Sequence, residues 1–354
     1  MASDEIAVPA HGAIAGARAE SRANRPSIDL TGASSRSGEV VVRALLLGAA
    51  LFSGFVVTLV VGFVFWRSWP LWHAEGIRFL TQGGWDQQLD DAFNSSNTFF
   101  GAAPLLVGSV LTTLGAVVVT VVVGLGAAIC LAELAPRWVR RPLETIVQLM
   151  AGIPSVVFGL VGLAVVVPYI ANHLIPANSG DVVTEIPLDG SCLLAGVIVL
   201  SFMILPFFVT VAGDALRAVP RSYIDGGLAL GLNRWRTITR IQVPAATPGL
   251  VAGIVLAASR AIGEAIALSM VAGAIAFVPT LQHGPLYFLL MPVRTIASAI
   301  VDTGGDAGDA PAIAAALFAL ASVLLVFSLS LSLAARWAFG FFSRRMNIVM
   351  DRRV

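Results

Sequence analysis

Two charged residues stand inside a long apolar stretch, at a spacing that could support chemistry. Arg260 and Glu264 occur in the heptapeptide SRAIGEA, within a helix that we predict over residues 247 to 277. A charge in an apolar helix is expensive and marks a functional site by default. The planar guanidinium of Arg260 suits an oxyanion on a transport pathway, and Glu264, four residues on, shares its helix face. The alternative is a mutual salt bridge that makes both charges tolerable.

A second group of candidate residues lies between residues 213 and 249, a segment that is long for a plain connection between helices. From 221 to 244 the pattern predicts helix, turn and helix, with Gly231 at the turn. Such an amphipathic element either rests on anionic lipid or docks on a partner protein. The candidate docking residues are Asp225, Gly231, Arg234, Trp235, Ile238, Ile241 and Pro244.

The composition indicates whether the helices that carry these residues lie in water or in lipid. Of the 354 residues, 57% are hydrophobic and 12% are charged, about half the charge of a soluble domain. A lipid environment explains this imbalance directly. The 22 basic residues are all arginine, so the chain cannot carry a phosphate-binding loop with lysine. We find no catalytic constellation and expect a chain that is not an enzyme, binds no cofactor and does not bind nucleic acid.

Six apolar runs are long enough to cross a bilayer, because about 20 helical residues suffice. We predict a tail over 1–40, a first transmembrane helix over 41–66, an outer loop over 67–103, a core over 104–342 and a second tail over 343–354. The 1–40 tail has the composition of a disordered segment. The predicted spans cover residues 42–66, 104–132, 143–170, 191–213, 247–277 and 310–340.

Loop charge predicts the orientation of these spans. Alternate loops and the two tails carry 18 arginines, the other loops carry 3, and Arg260 lies inside a span. The positive-inside rule therefore places both termini in the cytoplasm of a bacterial cell membrane. Cys130 and Cys192 then fall near opposite faces of the membrane, so we predict two buried, inert thiols and no disulfide.

Four residues inside the spans could bend helices or let them approach. Pro154 and Pro206 stand inside the third and fourth predicted spans, where each removes a backbone donor. Each either kinks a packed helix or provides a hinge. Gly249 and Gly253 form a pair of small residues one turn apart, which allows close helix packing.

The segment from 221 to 244 resembles the coupling loop of the permeases of ABC importers. The family pattern is Glu-Ala-Ala, three residues, Gly, nine residues and Ile-x-Leu-Pro. Here Asp225, Gly226 and Gly227 stand at the first triplet, Gly231 follows at the family's spacing, and the loop closes with residues 241–244, Ile-Gln-Val-Pro. The two glycines lower the helix propensity of the first turn.

Other segments resemble the permeases of phosphate importers, most closely the PstC type. The similar segments are 97–113, 149–163, 204–220 and 259–267, and the resemblance extends over about residues 97–345. In the last segment the family pattern Gly-Arg-Ala-x-Gly-Glu-Thr retains Arg260 and Glu264, while its outer Gly and Thr are replaced by Ser259 and Ala265.

The resemblance implies an all-α membrane protein with six transmembrane helices, the type I ABC importer permease fold and a cytoplasmic coupling helix. It implies half of a pathway for inorganic phosphate. The implied partners are a dimer of ATP-binding subunits that hydrolyses the ATP, a second permease of the PstA type, and an extracytoplasmic phosphate-binding protein. The alternatives are a permease for another oxyanion, a self-sufficient secondary transporter and a membrane-bound enzyme.

Overall fold

The structure, a computed structural model, describes residues 36–94, 100–176, 188–305 and 311–351. Six helices in these residues are long and apolar enough to cross a membrane, which confirms the predicted all-α architecture with six spans. Within the described residues, the only extended pairing is an isolated bridge between Gly273 and Val293. The spans are Val40–Glu75, Ala103–Leu134, Ser155–His173, Leu193–Arg217, Arg234–Ile262 and Pro311–Ala334.

Three of the spans contain a widened, π-helical turn, in which the backbone bonds reach one residue further than in an α-helix. These turns are Cys130–Leu134, Gly162–Val166 and Ile238–Gln242. The α-helices of the described residues are α1 (Arg36–Glu75), α2 (Arg78–Thr81), α3 (Trp85–Asn94), α4 (Ala103–Ile129), α5 (Arg137–Ala151), α6 (Ser155–Val161), α7 (Val167–His173), α8 (Leu193–Arg217), α9 (Arg221–Ala229), α10 (Arg234–Thr237), α11 (Val243–Ile262), α12 (Ile266–Val271), α13 (Pro285–Leu290), α14 (Ile296–Thr303) and α15 (Pro311–Asp351).

The tails and the first outer loop differ from the predicted boundaries. Residues 1–35 of the predicted N-terminal tail lie outside the described residues, and α1 begins at Arg36. The predicted tail from 343 is helical as far as Asp351, because α15 continues through it. This stretch contains neither glycine nor proline to end a helix. The predicted loop 67–103 includes the end of α1, as well as α2 and α3.

The third span is two helices rather than one kinked helix. The chain breaks at Gly152 and Pro154, so α5 ends before α6 begins. Pro154 has extended backbone with ψ 141° and stands at the N-terminal cap of α6, not inside a helix as predicted. The physical reason is that a residue before proline avoids helical backbone. The helix α5 is amphipathic, and none of its residues is fully buried.

The fifth span begins earlier and ends earlier than predicted. It continues from α10 through the third π turn into α11 and stops at Ile262, with Gly263 as its C-terminal cap. Residues 266–271 form the short helix α12, and irregular backbone follows. Gly273 has φ +104°, which favours glycine and ends the helix there. Apolar composition alone does not reveal such a break.

The chain divides into two units, residues 1–60 and 61–354. In the first unit, residues 40–60 form an apolar helix whose side chains are exposed. In the second unit, α8 is the central helix, because 61% of its most apolar window is buried. Its Pro206 is buried inside the helix, and the Thr210 hydroxyl donates to the Pro206 carbonyl at 2.9 Å.

Small residues let α8 approach its neighbours. A Cβ atom added to Gly249 of α11 would lie 2.5 Å from Cβ of Ala215, and one added to Gly253 would lie 3.1 Å from Cγ1 of Val211. Both partners belong to α8, so the glycine pair packs these two helices at short distance. Side chains larger than glycine would push α11 away from α8.

The two cysteines differ in environment. Cys192 is buried just before α8, where burial raises the pKa of its thiol. Cys130 is exposed at the first π turn, so the expectation of two buried thiols is wrong for this residue. The π turn shifts the residues that follow α4 around the helix axis, and the sequence gives no sign of that shift. Both thiols are free.

Candidate functional site

Arg260 lies in the last turn of α11 with an exposed side chain. It is about 26 Å along the helix axis from Val243, which is within the roughly 30 Å of a bilayer core. No described residue forms a hydrogen bond or an ion pair with its guanidinium group. The C-terminal end of a helix favours a cation, which stabilises the charge only in part. Arg260 is therefore a cation that needs a partner from outside this part of the chain.

Glu264 does not supply that partner. We predicted Glu264 on the same helix face as Arg260. The helix ends at Ile262, however, so Glu264 lies beyond it. Its carboxylate Oε1 accepts a hydrogen bond from the backbone N–H of Ala267 at 3.2 Å. Glu264 thus stabilises the first turn of α12. The expected pairing fails because Gly263 ends the helix between the two residues.

An ion-pair network that sequence reasoning missed is centred on Arg294. Its guanidinium donates to Asp86 Oδ1 at 2.9 Å, to Asp302 Oδ2 at 3.5 Å and to the Thr303 hydroxyl at 3.3 Å. The Ser269 hydroxyl donates to Asp302 Oδ1 at 2.5 Å. The network therefore ties α3, α12 and α14 together through one buried cation.

Backbone contacts fix the position of this network. Asp86 Oδ2 accepts from the Ala276 N–H at 2.6 Å, and Arg294 Nε is buried without a partner in the described residues. A Cβ atom added to Gly108 of α4 would lie 2.3 Å from the Arg294 carbonyl oxygen, so only glycine fits there. The partners of Arg294 lie as far as 208 residues away in sequence, and no local pattern could have identified them.

The segment from 221 to 244 forms the helix, turn and helix that its pattern predicts. Gly231 joins α9 to α10 with φ +79°, a conformation that glycine adopts without strain. The Asn233 side chain caps α10 by accepting from the Arg236 N–H at 2.8 Å. We call residues 221–244 the cytoplasmic loop, after the expected orientation.

Only part of the predicted docking set is available on the surface of this loop. Asp225, Arg234 and Trp235 are exposed, and 57% of Trp235 is accessible. Ile238, in contrast, is buried within the main core, so its predicted role in docking is wrong. Ile241 is half-buried, and its Cδ1 atom faces Gly227 of α9.

Ile238 is buried instead of exposed because of the π turn, since a widened turn rotates its residues relative to the preceding helix. An ideal helical interval therefore assigns the wrong face to Ile238. Pro244 is exposed at the start of α11, where no backbone donor is required. Two exposed leucines that the pattern did not single out, Leu228 and Leu230, extend the apolar surface of the loop.

A second ion-pair cluster joins α5 to the end of α8. Glu144 Oε1 accepts from Arg140 Nε at 2.9 Å and from Arg217 Nη1 at 2.8 Å, and Arg217 also pairs with Asp214. The hydrogen bond from Arg140, reinforced by Arg217, lowers the pKa of Glu144. This cluster fixes α5 to the C-terminal end of the central helix α8.

The described residues contain no group of histidine, cysteine, aspartate or glutamate that is arranged to hold a metal ion. The chemistry that the site offers is electrostatic. It consists of an unpaired guanidinium at the end of α11, which can bind an oxyanion through parallel N–H donors, and an exposed loop with an apolar surface between arginines.

Comparison with known proteins gives concordant matches. Residues 121–347 match the family described as binding-protein-dependent transport system inner membrane component. A probable ABC transporter permease protein, YqgH of Bacillus subtilis, is 36% identical over 236 residues, 67% of this chain and 71% of the relative. The phosphate transport system permease protein PstC of Mesorhizobium japonicum is 31% identical over 305 residues, 83% of this chain and 86% of the relative. PstC of Haemophilus influenzae is 30% identical and covers 74% of this chain and 80% of its own.

Proposed function

Because this chain belongs to the family of binding-protein-dependent transport system inner membrane components, we propose that it forms half of the pathway of an ATP-driven importer for inorganic phosphate. The relatives that are named phosphate permeases match most of its length. The observation that carries the substrate proposal is Arg260, an exposed guanidinium without a partner among the described residues of a membrane-spanning helix. An anion on the pathway supplies the missing charge.

Phosphate suits Arg260 for geometric reasons. A guanidinium presents parallel donors to two oxygens of a tetrahedral oxyanion, which a lysine ammonium cannot do. Among the described residues no carboxylate pairs with Arg260, which keeps these donors free for a passing ion. Glu264 contributes indirectly, because its carboxylate supports the start of α12 directly beyond the turn that carries Arg260.

The proposal includes three kinds of partner. A dimer of ATP-binding subunits hydrolyses the ATP, a second permease of the PstA type completes the pathway, and an extracytoplasmic phosphate-binding protein delivers the ion. This chain binds no cofactor and performs no catalysis in this scheme. The second permease also covers Arg260, because an exposed cation in a membrane-spanning helix needs a polar or protein-lined surrounding.

The cytoplasmic loop docks on the ATP-binding subunits. Leu228, Leu230 and Trp235 supply its apolar contact, while Asp225 and Arg234 lie beside them. These replace Ile238 and Ile241 of the sequence prediction, whose side chains pack within the chain. Both termini are cytoplasmic in this arrangement, as the distribution of arginines predicts.

Substitution of Arg260 tests the substrate proposal in the reconstituted complex. We expect Arg260→Gln to abolish uptake of labelled phosphate and Arg260→Lys to lower it by about tenfold, because Lys keeps the charge but loses the paired donors. Assembly, followed by co-purification, should not change. The matched control is Arg336→Lys, an exposed arginine near the end of the sixth span.

Two results would contradict the proposal. Normal uptake by Arg260→Lys would mean that only charge is needed at this position. Uptake of sulfate in preference to phosphate by the unaltered complex would assign another oxyanion. Glu264→Gln keeps an acceptor for the Ala267 N–H, so we expect this variant to transport normally.

A further inference from the structure

Two π-helical turns follow α4 and α10, and the second of them lies within the cytoplasmic loop. One comprises Cys130–Leu134 and the other Ile238–Gln242. In the first, the Ala135 N–H donates to the Cys130 carbonyl at 2.7 Å, five residues back. Such turns are rare and are found frequently at functional sites, since a shift between α and π bonding rotates the helix beyond it.

A buried amide connects these two turns. Gln242 is 1% exposed, and its Nε2 donates to Glu133 Oε1 at 2.5 Å and to the Leu216 carbonyl at 3.1 Å. Gln242 thus links the fifth span to the second through Glu133 and to the fourth through Leu216. A buried polar group that loses its partner is costly, so these three elements are expected to move together at this point.

The cytoplasmic loop contacts the same glutamate from the other side. The guanidinium of Arg234 donates to the backbone carbonyl of Glu133. Gln242 itself lies near the C-terminal end of the loop, and Gly227 of α9 packs against its neighbours Ile241 and Thr237. A displacement of α9 or α10 is therefore transmitted through these contacts to Glu133 and Gln242.

Open space beside this contact leaves room for such a displacement. A cavity of about 560 Å³ lies beside these contacts, between α9 and the ends of the second and fourth spans. Its lining includes Arg221 and Asp225 of α9, Arg234 of α10, Gln242 near the end of the loop and Glu133 of the second span. The Oε1 atom of Gln242 is buried and has no partner in the described residues. The amide is therefore incompletely satisfied in this state, which favours a second arrangement of its hydrogen bonds.

We propose that Gln242 and Glu133 are positioning residues that transmit movement of the cytoplasmic loop to the second, fourth and fifth spans. This inference rests on the proposed function, in which ATP-binding subunits drive the loop. The hydrogen bond between the two side chains keeps both π turns in register as the loop shifts. Through α11, the same movement reaches Arg260 at the far end of the helix.

The test measures phosphate uptake per ATP hydrolysed in the complete complex with its binding protein in vesicles. We expect Gln242→Leu and Glu133→Leu to lower this ratio by about tenfold, because each removes the charged hydrogen bond. Glu133→Gln keeps an acceptor for the Gln242 amide and should retain the normal ratio. Gln148→Leu, at an exposed glutamine of α5, is the matched control.

An unchanged ratio in both leucine variants would overturn the inference, as would a defect in Glu133→Gln equal to that in Glu133→Leu. The ratio is taken on assembled complex, so a variant that only assembles less well gives a normal value and counts against the proposal. ATP hydrolysis stimulated by the binding protein is a second readout: we expect stimulation to fall in the leucine variants alone. If the unaltered complex takes up no phosphate, the proposed function is overturned instead. Stimulation of ATP hydrolysis by the binding protein would still test whether Gln242 and Glu133 transmit movement of the loop.

Discussion

The buried guanidinium of Arg294 shows how much a single residue can determine in a chain with few charges. Its side chain is 10% exposed and lies between Asp86 and Asp302, at 2.9 and 3.5 Å. Breaking a buried pair by removing one partner is strongly destabilising, since the remaining charges are left without compensation. Arg294 therefore holds together segments that are distant in sequence.

We expect Arg294→Met to destabilise the protein by about 3 kcal/mol, near the lower end for buried pairs because Asp86 is partly exposed. The double variant Arg294→Met with Asp86→Asn should recover part of the loss, because it removes one of the two uncompensated carboxylates. Thermal unfolding in lipid nanodiscs measures both. Arg78→Met, at an exposed outer arginine, is the control and should unfold like the unaltered protein. An equal unfolding temperature for Arg294→Met would show that the network adds no stability.

Sequence reasoning identified individual residues where the residue itself is energetically unfavourable in its local segment. Arg260 was identified because a charge in an apolar run is expensive wherever the helix ends. Its lack of pairing with Glu264 could not be predicted, since a glycine in an apolar run does not by itself show that the helix ends there. Arg294 was missed for a related reason, because Asp86 approaches it only in the folded chain.

At the scale of elements, the number of spans could be predicted, but their interruptions could not. Hydropathy reports burial in lipid, and six apolar helices follow from it. The break at Pro154 and the π turn at 238–242 depend on backbone hydrogen bonds that hydropathy does not sense. The π turn then turned Ile238 towards the core, which is why a regular helical interval assigned it to the surface.

Helix α9 offers a matched pair of glycines for a test of this element. A Cβ atom added to Gly226 would meet nothing within 4 Å, whereas one added to Gly227 would lie 2.6 Å from Ile241 Cδ1. We expect Gly226→Ala to stabilise the helix by up to about 1 kcal/mol through its propensity. Gly227→Ala should gain less, because Ile241 and Thr237 must shift to admit the methyl group.

Hydrogen exchange of the α9 amides measures this difference. Protection should rise in Gly226→Ala and exceed that in Gly227→Ala. Equal protection in the two variants would mean that α9 and the π turn do not pack closely enough to sense a methyl group. The result also explains how a helix forms with two glycines in its middle, since the second of them lets the neighbouring helix approach.

At the scale of the whole molecule, the arginines divide between two ends of the spans. The side that includes α5 and the cytoplasmic loop carries exposed cations such as Arg137, Arg221 and Arg236. On the other side Arg294 is buried between two carboxylates and presents little free charge. Arg67 and Arg78 are the exposed arginines described on that side, so the exposed arginines of the described residues lie mostly on the side expected to be cytoplasmic.

Labelling of single cysteines tests that orientation directly. In a background with Cys130→Ser and Cys192→Ala, we expect Arg137→Cys to react with an impermeant maleimide only in inside-out vesicles. Ile77→Cys and Leu281→Cys, at residues that are 76% and 66% exposed, should react only in intact cells and right-side-out vesicles. Each position is chosen on an exposed, described segment, so a lack of reaction in one orientation reflects the bilayer and not burial in the fold. Reaction of Ile77→Cys or Leu281→Cys from the inside alone would contradict cytoplasmic termini. The loop at 221–244 would then face away from any cytoplasmic ATP-binding subunit, and the proposed coupling would fail with it.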